Sequence, residues 1–146
     1  MLYTIKHTCG HEEEVQVYGT NAHGERDSKV AWLESKPCRE CELAAKHAEA
    51  DASSDGMAEL DGSEKQVRWA KDIRHEMIAK VEGKLYREEE IMTCNESDEN
   101  IAEFARRGAL VVGAIEGKTS ARWFIDNRNL TSKQVIKLVA MDGNLW

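Results

Sequence analysis

Four cysteines sit at positions 9, 38, 41 and 94 of the 146-residue chain. Cys38-Arg39-Glu40-Cys41 is a C-x-x-C and Cys9-Gly10-His11 a C-x-H, with 26 residues between the two pairs. Two pairs of sulfur and imidazole donors, each delivered by a tight turn, are what a closed tetrahedral zinc site requires. Gly10 lets the first turn tighten, and Pro37 fixes the approach to the second. Zinc held by Cys9, His11, Cys38 and Cys41 has no open coordination position, so its role is structural rather than catalytic. His7-Thr8-Cys9 has the same one-residue gap, so His7 can replace His11, and His47 is a third candidate. Reading the C-x-x-C as a thioredoxin-type redox pair requires a βαβ neighbourhood, which the pattern does not show.

The flanking residues supply elements that would position these ligands. Leu2–Lys6 and Glu14–Tyr18 alternate as short strands on either side of Cys9-Gly10-His11, as in a hairpin. Glu25–Ser35 reads as a short helix with Val30, Trp32 and Leu33 apolar, and Cys41–Ala50 as a second. The positive end of that second helix favours thiolates. Hairpin knuckle plus helix-start C-x-x-C predicts a zinc-ribbon or treble-clef-like module over residues 1–50.

Residues 50–56 are small and polar with no periodicity, and a flexible linker is predicted over 51–61. From residue 62 to 146 the pattern is helical. Ser63-Glu64-Lys65-Gln66 and Thr131-Ser132-Lys133-Gln134 are capping boxes. The first leads Val67, Ala70, Ile73, Met77 and Val81 along one face, in a helix ending before Gly83 or running on to Met92. Ser97 opens a helix with Ile101, Phe104, Gly108, Val111 and Ile115 on one face. Thr119-Ser120 opens a short one carrying Trp123 and Phe124, and the last runs to Gly143. The predicted fold class is therefore α+β: a small zinc module followed by an all-helical bundle.

Ala109–Thr119 imitates a strand entering a phosphate-binding loop, but Gly113 and Gly117 are separated by three residues where that loop needs four. A helix stop at Gly117 and a new helix cap at Thr119 account better for the same residues. His75-Glu76 has no second His four residues on, Glu88-Glu89-Glu90 reads as a solvated helix face, and Cys94 reads as a buried free thiol. No catalytic centre emerges, and a non-enzymatic protein is expected.

The remaining signal is aromatic and basic. Trp69 and Trp123 stand among Arg106, Arg107, Arg122 and Arg128, a combination that can stack bases and hold phosphates. The plainer reading places Trp69 and Trp123 in a helical core under arginine stems. Trp146 is expected to be exposed and open to a partner. Charge limits the nucleic-acid reading: the net is −7, with residues 51–100 holding 14 acidic against 7 basic groups. Only the last third, 7 basic against 4 acidic, is positive, so a phosphate backbone would be met locally if at all. No apolar run approaches a membrane span, and Met1–Thr8 lacks a signal-peptide core, so a cytoplasmic protein is expected.

Cys9-Gly10-His11-Glu12, Ala31-Trp32-Leu33 and Cys38-Arg39-Glu40-Cys41 together resemble the N-terminal zinc module of small proteins from bacteriophages and mobile elements. Gly62–Gln66, Trp69-Ala70, Ile73-Arg74 and Ala121–Arg128 are similar to the helical module that accompanies it. The resemblance implies zinc on Cys9, His11, Cys38 and Cys41, and a phage accessory role exercised by binding. The expected partner is a protein, such as a host factor. The alternative is a nucleic-acid-binding factor of phage DNA metabolism using Arg106, Arg107, Arg122 and Arg128, and a nucleotide-binding enzyme built on residues 113–119 is a distant third.

Overall fold

A computed structural model describes residues 1–146. The chain is α+β, with one two-stranded antiparallel hairpin and a remainder that is mostly helical. It divides into two compact units, Met1–Lys46 and His47–Trp146.

In the first unit, strand β1 (Leu2–Lys6) pairs with β2 (Glu12–Gln16) in a register that sets Lys6 opposite Glu12 and Leu2 opposite Gln16. The second strand begins two residues earlier than the alternation of Val15 and Val17 suggests. The five residues between the strands are a knuckle closed on itself, with the His7 amide donating to His11 O and the Gly10 amide to His7 O. Pairing therefore resumes at Glu12. Gly10 has φ +86, a left-handed conformation that a side chain disfavours. Helix α1 (Glu25–Glu34) follows, and it buries none of its residues. Ile5 and Val17 are the buried aliphatic side chains of this unit.

Helix α2 (Arg39–Ser53) starts two residues before the sequence pattern indicates and ends three later. Cys38 stands at its entrance, its carbonyl accepting from the Glu42 amide. The boundary between the units falls within this helix. The stretch 51–61, expected as a flexible linker, begins as the last turn of α2 and ends with Leu60 in the helical core. Backbone bonds from Ala58 to Glu116 O and from Asp61 to Thr119 O anchor it.

The second unit is built on α3 (Glu64–Asn95), against which α4 (Asp98–Glu116), α5 (Ala121–Asp126) and α6 (Ser132–Asp142) pack. Both predicted capping boxes form, Ser63 with Gln66 and Thr131 with Gln134. Gly83 does not stop α3, which tolerates an interior glycine at about 1 kcal/mol relative to Ala. The core gathers Ala70, Ile73, Met77 and Val81 of α3, Val111 and Ile115 of α4, Phe124 of α5, and Val135 and Val139 of α6. Gly108 lets α4 approach α3 closely: a Cβ there would lie 3.1 Å from Leu85 Cδ1. Arg74, 2% exposed, reaches through this core to donate to Ala58 O at 2.8 Å and so braces the 54–60 loop. No helix is long and apolar enough to cross a membrane.

Candidate metal centre

The knuckle and the entrance of α2 bring Cys9, His11, Cys38 and Cys41 together, with their ligand atoms all within 4.8 Å of one another. The His11 Nδ1 atom lies 3.5 Å from Cys9 Sγ, 3.6 Å from Cys38 Sγ and 3.2 Å from Cys41 Sγ. Ligands at tetrahedral corners, about 2.3 Å (sulfur) and 2.0–2.1 Å (nitrogen) from zinc, stand about 3.5 Å apart along each sulfur–nitrogen edge. The observed spacing of all three sulfurs from His11 matches that edge, so the four donors can hold a tetrahedral ion.

The backbone around the cluster works in the same direction. The Cys38 amide donates to Cys9 Sγ at 3.3 Å, bridging the two turns across 29 residues. That amide, together with the neighbouring His11 amide, pulls the Cys9 thiol down to about 6. Cys41 is driven the other way, to about 11, by the Cys38 sulfur beside it, by burial and by Cys9. Three converging sulfurs resist carrying three negative charges at once. A divalent cation removes that conflict, which is the electrostatic reason for such a set to hold a metal.

The other histidines are engaged elsewhere. His7 is 4% exposed, with Nδ1 at 3.1 Å from Lys36 O and Nε2 at 2.9 Å from Glu13 Oε1. Burial opposes its charge, but the Glu13 and Lys36 acceptors outweigh burial and raise its pKa. It thus fastens the hairpin to the segment preceding Cys38, as does the Thr8 amide bond to Lys36 O. His47 Nδ1 is 2.7 Å from Asp72 Oδ2 in the second unit. His11 is therefore the histidine that joins the cysteines. Cys94 is exposed near the end of α3, not buried as its surroundings in sequence suggest.

The aromatic and basic candidates are dispersed along the second unit. Trp69 is 48% exposed, and the Arg128 guanidinium lies 5.1 Å from its ring centre. Trp123 meets Phe124 edge-on at 5.1 Å and is also approached by Lys118. Arg106 and Arg107 both bind Glu103, holding that carboxyl at about 2, and Arg122 lies 3.5 Å from Asp126. Residues 109–116 are α-helical rather than a strand, Gly117 caps that helix, and Ser120 rather than Thr119 caps the next.

One polar constellation was not anticipated from the sequence. Asp72 accepts from both His47 and Arg68, Arg68 also forks onto Asp51 at 2.8 Å, and Ser53 Oγ lies 2.9 Å from His75 Nδ1. The helical spacing 68, 72, 75 facing 47, 51 is its only trace in sequence.

No family model matches the chain, and no curated protein or solved structure is similar to it. What fold and site define is an α+β protein whose Cys9-His11-Cys38-Cys41 cluster can hold a metal ion.

Proposed function

We propose that the protein is a non-enzymatic zinc-binding accessory protein that acts by binding a protein partner in the cytoplasm, in a phage or mobile-element setting. The observation that carries the metal assignment is the cluster of three thiols and one imidazole at tetrahedral spacing. Zinc is the ion this donor set suits, being indifferent to ligand-field geometry and bound well by sulfur and nitrogen together. With all four positions filled by side chains, the ion's part is to organise the knuckle and the start of α2. The exposed Trp69 and Trp146 supply the amphipathic anchors that protein interfaces favour.

The test has two stages. Metal analysis of the purified full chain should return one zinc per chain, and a metal-free protein whose first unit is folded at neutral pH rejects the assignment. Capture of partners from lysate, with and without nuclease, then separates the readings. A protein that stays bound after nuclease supports the proposal. Binding that vanishes with nuclease, and falls steeply with salt in a gel shift, supports a nucleic-acid-binding factor acting through Arg128 stacked on Trp69.

A further inference from the structure

A cavity of about 360 Å³ opens in the second unit between α3, α4, α6 and Trp146. Its walls are Leu85, Phe104, Val111 and Ile136, with the indole of Trp146 standing at its edge. Trp146 is 54% exposed and steadied by the Arg107 guanidinium 5.6 Å from its ring centre. The charges around the cavity are unequal: Lys84, Arg107 and Lys133 against Glu88. Glu88 is already paired with Lys84 and Arg107 with Glu103, whereas Lys133 carries its charge without an ion-pair partner. The cavity beside the 54–60 loop differs in kind, because Asp51, Asp55 and Glu59 there oppose Lys71 and Arg74. The cavity beside Trp69 also has a basic excess, Lys80 and Arg128 against Glu76, so what marks the first cavity is the unpaired Lys133 at the mouth of its apolar walls.

We propose that this cavity binds a small anionic amphiphile, a carboxylate on a short apolar body, with the body between Leu85, Phe104 and Ile136 and the acid group at Lys133 and Arg107. Its volume lies at the lower end of what small-molecule sites enclose, which selects a compact ligand. The pocket supplies the two terms such a ligand needs: removal of apolar surface from water, and a charge-assisted contact at the mouth. Gly108 and Leu85 both line the cavity, and a side chain at 108 would crowd Leu85, its Cβ lying 3.1 Å from Leu85 Cδ1. This inference does not depend on the metal centre; it shares Trp146 with the proposed protein interface, so Lys133→Glu, at a residue that reading does not use, is the variant that tells the two apart.

The test uses the zinc-loaded full chain and the fluorescent probe anilinonaphthalene sulfonate, displaced by decanoate or by uncharged decanol. One saturable probe site is expected, with decanoate displacing the probe about fivefold more effectively than decanol. Lys133→Glu, at an exposed position, should keep the helical circular dichroism and weaken decanoate about fivefold while leaving decanol unchanged. Trp146→Ala should weaken both ligands. Probe emission that never saturates, equal displacement by decanoate and decanol, or a Lys133→Glu variant with unaltered decanoate affinity overturns the proposal.

Discussion

Replacing Cys41 by Ser should unfold the first unit and leave the second standing. Ile5 and Val17 are the fully buried aliphatic side chains of Met1–Lys46, and α1 adds only the half-buried Val30 and Leu33. At about 1.5–3 kcal/mol for each fully buried side chain, the pair contributes about 3–6 kcal/mol. A structural zinc ion contributes about 10–16 kcal/mol at neutral pH, several times more. A unit of this size rarely folds without such a staple. The second unit has its own core around Phe124, Val81 and Ile115, each 0% exposed, and does not draw on the metal. Heteronuclear NMR of the full chain reads the two units separately. In Cys41→Ser, and in the natural chain after chelation, the amides of Ile5, Val15 and Val17 should collapse to random-coil shifts. Those of Ala70, Val111 and Val139 should keep their dispersion. Retention of native shifts at Ile5 and Val17 in the chelated protein would refute the reasoning, because two aliphatic side chains would then suffice.

Gly10→Ala places a side chain at φ +86, a left-handed conformation costing about 1–2 kcal/mol, so zinc affinity measured by chelator competition should fall about five- to thirtyfold. Phe124→Ala empties a site that is 0% exposed and should cost about 3–5 kcal/mol, lowering the calorimetric Tm of the second unit by more than about 10 °C. Asp51 is held below the usual carboxylate range, chiefly by the Arg68 guanidinium, so its stabilising effect is complete at neutral pH and is lost as acid protonates it. The Tm of Asp51→Asn should accordingly lie below that of the natural chain at pH 7 and converge with it below about pH 3.9, and parallel curves would contradict the pairing.

The parts legible in the sequence are those governed by neighbours along the chain. A capping box is closed by residues three apart, so Ser63 with Gln66 and Thr131 with Gln134 could be read directly and are found. The ligand cluster was legible because the C-x-H and C-x-x-C spacings each encode a turn. The pairing of His11 rather than His7 was not, since both lie two residues from Cys9 and only the fold sends His7 towards Lys36 and Glu13. Strand β2 was displaced by two residues because alternation reveals which face a residue takes, not where pairing resumes after a knuckle. The burial of Arg74 and the His47–Asp72–Arg68 network belong to contacts between helices, and no local pattern specifies them.

Helix α3 has a mechanical consequence of its own. Its last buried residue is Val81, yet it continues to Asn95, about 21 Å farther at ~1.5 Å per residue. Along that length Tyr86 and Ile91 are 64% and 65% exposed. One continuous helix therefore spans a gradient of opening free energies, from global unfolding at Ala70 to little more than fraying near Thr93. The tip where α3 turns into α4 can melt and re-form while the core stays intact. Amides there should exchange with solvent orders of magnitude faster than those a few turns earlier, and a protease should make its first cut in the helical unit at that tip.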